Sequence, residues 1–155
     1  MAFVSGSTTV QQAQIETKNN LVEYLEQLGS TDEERKQVLQ NWIDSCAGYA
    51  VATYVISVGD RHLENLMITK EGKMFHIDFG FIFGDEPKGK KALTTPIRLN
   101  RCMIDAMGGL ESENYRQMKE KCINAFIQLR KHRNLIVNTV LLMANSGVIE
   151  ESEVS

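Results

Sequence analysis

Four residues of this chain have the types and spacing for joint chemistry: Asp60, His62, Asn65 and Asp78. They fall in Gly59-Asp60-Arg61-His62-Leu63-Glu64-Asn65 and, thirteen residues after Asn65, in Asp78-Phe79-Gly80. Together they offer an imidazole, carboxylates and an amide oxygen. Phosphoryl transfer needs such a set, because the transferring phosphate must be screened by a divalent cation before a nucleophile can approach. A hydroxyl nucleophile must also lose its proton to a nearby group. Asn65 and Asp78 can supply oxygen ligands to a hard cation. Asp60 and His62 can handle the proton, and imidazole, which titrates near pH ~6.5, suits that task at neutral pH.

These residues need elements to hold them. Leu66 to Thr69 reads as a short strand, Lys70-Glu71-Gly72-Lys73 as a turn, and Met74 to Ile77 as the returning strand. This hairpin puts Asn65, just before the first strand, beside Asp78, just after the second. Upstream, Leu21, Val22, Leu25 and Leu28 mark a helix over Lys18–Leu28 that Gly29 closes. Ser30 or Thr31 caps a longer helix over Asp32–Ile56, with Glu33 and Glu34 near its positive end. Its second half (Cys46, Ala47, Ala50, Val51, Tyr54, Val55) is apolar on most sides and predicts a buried spine, with Trp42 in the core. Residues 79–99 sustain no period and read as a long loop, of a length that is often functional. Asn100 caps a short helix to Met107 that Gly108-Gly109 stops. Ser112 opens a long helical region broken near Arg130–Arg133. Tyr115, Met118, Cys122, Phe126 and Leu129 form one apolar face, and Leu135, Ile136, Val140 and Leu142 the next. Met1–Thr17 is polar and shows no pattern of its own, and residues 148–155 form an acidic tail. The chain is therefore expected to be mainly α with a small β-hairpin.

Bulk properties set bounds. The chain has 155 residues, suited to one domain, with 43% hydrophobic and 24% charged residues. Its net charge of -3 lacks the basic field of a nucleic-acid binder. Cys46, Cys102 and Cys122 are too scattered for a disulfide framework or a zinc site and read as reduced core residues of an intracellular protein. The first residues have neither the basic nor the apolar region of a secretory leader.

Asp60 and Asn65 are five apart, as are the base and the metal-binding amide of the protein-kinase catalytic loop. The order here, however, is Asp-Arg-His rather than His-Arg-Asp. Gly59-Asp60-Arg61-His62-x-x-Asn65 together with His76-Ile77-Asp78-Phe79-Gly80 resembles the phosphatidylinositol 3/4-kinase superfamily. Ser45-Cys46-Ala47-Gly48-Tyr49, Gly84-x-x-Pro87-Lys88 and Arg98-Leu99-Asn100 up to Met107-Gly108-Gly109 are most similar to class III phosphatidylinositol 3-kinase. The similarity runs from about Phe3 to Gly147.

The resemblance implies the C-terminal lobe of a protein-kinase-like lipid kinase, with the N-lobe absent. Residues 58–65 would be the catalytic loop, 78–99 the activation loop and 100–147 a helical region. It implies ATP with Mg²⁺ or Mn²⁺ as cofactors, and transfer of the γ-phosphate to the 3-hydroxyl of phosphatidylinositol. His62 would be the base for the inositol 3-hydroxyl or would stabilise the transferring phosphate, and Asp60 would orient the nucleophile or His62; Asn65 and Asp78 would hold the metal. Arg61 would pin the loop and His76 would pack behind the Asp-Phe-Gly turn. Met67 and Ile77 would line the adenine slot. Lys88, Lys90, Lys91 and Arg98 would meet the lipid headgroup, each worth on the order of 1 kcal/mol at an anionic surface. The three lysines stand where class III loops are proline-rich. The implied setting is cytoplasmic and peripheral on endosomal or autophagic membranes, with a regulatory subunit bound through the rest of the kinase and no nucleic acid. Such a lobe alone should not catalyse efficiently. The alternatives are a phosphatidylinositol 4-kinase, whose loop usually continues Ser-Pro-Gly-Gly-Asn, and a non-catalytic C-lobe acting as an interaction module.

Overall fold

A computed structural model describes residues 4–84 and 97–145. The longest helix, α3 (Asp32–Val55), organises the rest. It begins at a capping box: the Thr31 hydroxyl accepts the Glu34 amide while the Glu34 carboxylate accepts the Thr31 amide. This satisfies backbone donors that a helix start leaves without partners. Along α3, Val38, Trp42, Ile43, Cys46, Ala47, Ala50 and Val51 are buried. The small residues among them let neighbours approach closely, so the expected spine is present. Tyr54 and Val55 are an exception, 41% and 36% exposed; Tyr54 meets the ring of Phe126 rather than the core.

Two strands follow α3, β2 (Leu66–Ile68) and β3 (Met74–His76), antiparallel with Met67 opposite Phe75. Gly72 closes the turn at φ 79°, where a Cβ would stand 2.6 Å from Val38 Cγ1 and 2.8 Å from the Val38 carbonyl oxygen. Only glycine combines that conformation with that approach. The helix holds the hairpin by side chains. Asn41 donates to the Glu71 carbonyl at 2.7 Å, and the Ser45 hydroxyl accepts the Met74 amide at 2.8 Å.

The first residues depart from expectation. Thr8–Thr9 forms β1, which pairs antiparallel with β2 and makes a three-stranded sheet rather than a lone hairpin. Val10–Glu16 forms α1, capped by Thr9, with Val10 and Ala13 fully buried. The second predicted helix is α2 (Leu21–Gln27), and it starts three residues late. Lys18 and Asn19 have positive φ, which no helix accommodates, and Asn20 caps it instead.

α4 (Arg101–Asp105) follows Asn100 and ends before Gly108 and Gly109, both at positive φ. α5 (Glu113–Lys131) is capped by Ser112, and α6 (Arg133–Asn145) starts after the break predicted at the basic cluster. α5 packs along α3: Met118 is buried, Cys122 Sγ lies 3.6 Å from the Ala47 carbonyl oxygen, and Lys121 pairs with Asp44 at 2.9 Å. The apolar face predicted on α6 exists but is not buried among the described residues, with Leu135 68% and Leu142 69% exposed. Among the described residues no helix is long and apolar enough to cross a membrane.

Candidate active site

The hairpin brings the two predicted cation ligands to one end of the sheet. The Ile77 amide donates to the Asn65 carbonyl at 2.9 Å, extending the β2–β3 ladder by one bond. Asp78 follows at once. Asn65 is 8% exposed, and its Nδ2 donates to the main-chain oxygen of Asp60 at 2.9 Å. That bond uses the donor end of the amide, so Oδ1 is left as the acceptor. The Asp78 carboxylate is exposed, and its Oδ1 accepts the Gly80 amide at 3.1 Å. That bond leaves Oδ2 to accept another partner. Two hard oxygens from flanking positions suit a Mg²⁺ or Mn²⁺ whose remaining ligands are phosphates and water. Among the described residues no three His, Cys, Asp or Glu side chains gather to cage a metal.

The loop over residues 58–65 carries His62 at the surface between two carboxylates. Its Nε2 lies 3.7 Å from Asp60 Oδ2 and its Nδ1 3.8 Å from Glu64 Oε2. Glu64 had no assigned role in the sequence; its place in the loop, two residues after His62, was the only signal. Local backbone bonds shape the loop: His62 donates to the Asp60 carbonyl at 3.2 Å and Asn65 to that of His62 at 3.0 Å. Arg61 turns inward and donates to the Thr53 hydroxyl at 2.9 Å, which anchors the loop to α3 as expected of a pin.

The segment after Asp78 is laced to the start of the catalytic loop by three main-chain bonds. Gly59 donates to Phe81 at 2.8 Å, Phe83 to Ile56 at 2.8 Å and Gly84 to Ser57 at 3.1 Å. Residues at positive φ cluster here: Ser57, Asp60, Asp78 and Phe83. Asp tolerates the left-handed region better than most residues. For Ser57 and Phe83 the conformation costs on the order of 1 kcal/mol or more, and these cross-loop bonds hold it.

His76 is 4% exposed and its ring lies 5.3 Å from that of Phe79, tilted by 46°. It therefore backs the Asp-Phe-Gly turn. Burial pushes its imidazole below the ordinary range, aided by the charge of Arg61 and opposed by the Ile77 main chain and Asp78.

On the sheet, Leu66, Ile68, Met74 and His76 face inward, whereas Met67 and Phe75 are half-buried on the other face. Ile77, two residues after Phe75, shares that face by strand alternation and is 37% exposed. Met67 and Ile77 thus share an open apolar face, with Phe75 between them as a third member that periodicity alone did not single out. Arg98 is half-buried and lines a small cavity with Thr53, Arg61 and His76, on the inner side of the loop. Lys88, Lys90 and Lys91 lie outside the described residues.

A sequence model of the family "Phosphatidylinositol 3- and 4-kinase" matches residues 6–152. The phosphatidylinositol 3-kinase VPS34 of Arabidopsis thaliana is 47% identical over 110 residues, 71% of this chain and 13% of that protein. The phosphatidylinositol 3-kinase pik3 of Schizosaccharomyces pombe is 46% identical over 110 residues, with the same coverage. The VPS34 enzyme of Saccharomyces cerevisiae is 45% identical over 111 residues, 72% of this chain and 12% of that protein. The chain thus spans 12% to 13% of the length of these curated relatives. The resemblance carried by the two motifs is borne out.

Proposed function

Because the chain belongs to the phosphatidylinositol 3- and 4-kinase family, we propose that it supplies the catalytic and activation loops of a phosphatidylinositol 3-kinase. The observation that supports this reading is the Asn65–Ile77 backbone bond of 2.9 Å, which brings Asn65 and the residue before Asp78 together at the end of the hairpin that follows the loop of Asp60 and His62. In this reading the chain is the C-terminal lobe of the kinase domain, and a Lys-bearing lobe completes the ATP cradle.

The roles follow from the chemistry of each side chain. Asn65 Oδ1 and the Asp78 carboxylate hold a divalent cation. When bound, that cation screens the phosphate charge and stabilises the transferring group. His62 takes the proton of the inositol 3-hydroxyl, and Asp60 on one side and Glu64 on the other orient its ring. Arg61, through Thr53, keeps the loop on α3. Met67, Phe75 and Ile77 offer the adenine an apolar floor. Lys88, Lys90 and Lys91 read the lipid headgroup, whereas Arg98, expected to join them, lines the small cavity beside His76 and Arg61 and is assigned to holding the loop instead. Work on endosomal or autophagic membranes, in traffic and autophagy, and a regulatory subunit bound through the rest of the kinase belong to the same reading; similarity to class III enzymes supports them. The chain alone is expected to be inactive, because ATP would lose half its cradle.

The test restores the rest of the kinase domain and offers phosphatidylinositol, its 4-phosphate and its 4,5-bisphosphate in separate vesicles. A 3-phosphorylated product from phosphatidylinositol supports the reading. A 4-phosphorylated product makes the protein a 4-kinase. No lipid product from a folded, ATP-binding domain leaves a non-catalytic module.

A further inference from the structure

Behind the catalytic loop lies a cavity of about 20 Å³, bounded by α3, β3 and the segment leading into α4. Tyr49 and Thr53 line it from α3, Arg61 from the catalytic loop, His76 from β3 and Arg98 from the far end of the activation loop. That volume accommodates one water molecule, which needs ~10–15 Å³, and is too small for a phosphate.

Apolar side chains such as Cys46, Leu66, Met74 and Met103 complete the lining, so its few polar groups must satisfy one another or a water. His76 is 4% exposed, and neither of its ring nitrogens has a protein hydrogen-bond partner among the described residues. The Ile77 main chain approaches the ring and favours its charged form, but it closes no hydrogen bond that satisfies either nitrogen. A buried ring nitrogen without a partner is costly, and ordered water is the usual remedy in a polar niche. The Thr53 hydroxyl donates to the Tyr49 carbonyl at 2.7 Å and accepts from Arg61 Nη1 at 2.9 Å. A hydroxyl oxygen has a second lone pair, so Thr53 can accept one more bond. A neutral imidazole offers one donor and one acceptor. One water between these groups can donate to Thr53 and bond to His76, reaching the two partners it minimally requires.

We infer that a single ordered water occupies this cavity and bridges His76 to the Thr53–Arg61 pair. The bridge makes His76 a positioning residue. A hydrogen-bonded chain then runs from α3 through Thr53 and the water to His76, whose ring packs on Phe79 beside Asp78. The inference does not depend on which lipid is phosphorylated.

The test uses the full chain. A crystal structure at high resolution should show one peak within about 3 Å of a His76 ring nitrogen, and crystals grown in bromide should show no anomalous signal there. In solution, Thr53→Val and His76→Phe should both move the amide resonances of Ile77 to Gly80, while Thr139→Val on the surface of α6 should leave them in place. The stability losses of Thr53→Val and His76→Phe should be non-additive, since either one removes the bridge. No peak, a bromide peak, or additive losses with no response at Ile77–Gly80 in Thr53→Val would overturn the inference. If His76→Phe fails to fold, the wild-type density and the Thr53→Val spectrum decide alone.

Discussion

The main-chain carbonyl of Asn65 accepts the amide of Ile77 at 2.9 Å, one residue short of Asp78. The last rung of the hairpin therefore also sets the spacing of the site. The turn at Gly72, six residues before Asp78 and so about 20 Å away along the chain at ~3.3 Å per residue, controls how Asn65 and Asp78 are placed. Stability of the turn and competence of the site are linked through backbone geometry.

Asn65 tests the loop side of this link. Its Nδ2 donates to the Asp60 carbonyl in a buried setting. Asn65→Asp keeps an oxygen for the cation but turns a donor into an acceptor facing a carbonyl. The expected loss is ~1–3 kcal/mol of stability, read as a lower urea midpoint of the chain. An unchanged midpoint would show that the bond does not shape the loop.

Gly72 tests the turn side. Gly72→Ala forces a Cβ against Val38 at a φ that side chains disfavour, and the expected cost exceeds ~1 kcal/mol. Adding Val38→Ala should recover only part of it, because the Val38 carbonyl oxygen and the φ remain. Full recovery in the double variant would mean that the contact with Val38 Cγ1 was the whole effect.

The buried thiols predict a pH dependence. Burial raises the Cys46 thiol well above its ordinary range, with smaller contributions from Cys122 and Cys102, which are raised by burial themselves. The unfolded thiol ionises near pH ~8.5 while the folded one keeps its proton. Above that pH the unfolded state binds fewer protons, so stability declines as pH rises, by up to ~1.4 kcal/mol per pH unit for one thiol. Denaturant unfolding from pH 7 to 10 should show this decline, and Cys46→Ala should flatten it while lowering the whole curve. Equal slopes in the two proteins would place the effect elsewhere.

His62 and Glu64 should separate by magnitude in the complete kinase domain. His62 is the proposed base, so His62→Ala should cost ~10²–10⁴-fold in turnover. Glu64 lies 3.8 Å from Nδ1 at an exposed position, where its support is screened by solvent. Glu64→Ala should cost less than ~10-fold. A larger loss from Glu64→Ala than from His62→Ala would reverse the two roles.

Much of this arrangement was legible in the chain. Thr31 and Glu34 form the Ser/Thr-x-x-Glu pattern that announces a helix start, and α3 begins there. The hairpin was legible because Gly72 sits between two short apolar runs. What escaped has physical reasons. β1 is two threonines, too short to show alternation, and is held by pairing with β2; α1 buries only Val10 and Ala13 and is held by packing on α2 and β2. The bonds from Gly59, Phe83 and Gly84 join irregular segments through main-chain groups, which carry no residue signature. Tyr54 and Val55 look like core because an apolar side chain reads alike whether or not a neighbour covers it. Glu64 stood in view within the motif, but only its distance from His62 assigns it a place.

The most direct measurement is phosphate transfer from ATP to phosphatidylinositol by the complete kinase domain, compared between wild type and Asp78→Ala. Asp78 is exposed, but it sits at a positive φ that alanine tolerates less well and it accepts the Gly80 amide, so Asp78→Ala should lower the thermal midpoint modestly, and transfer is compared well below that midpoint. The account predicts a 3-phosphorylated lipid from the wild type and background transfer from a folded Asp78→Ala domain. Transfer by Asp78→Ala at the wild-type rate would contradict it.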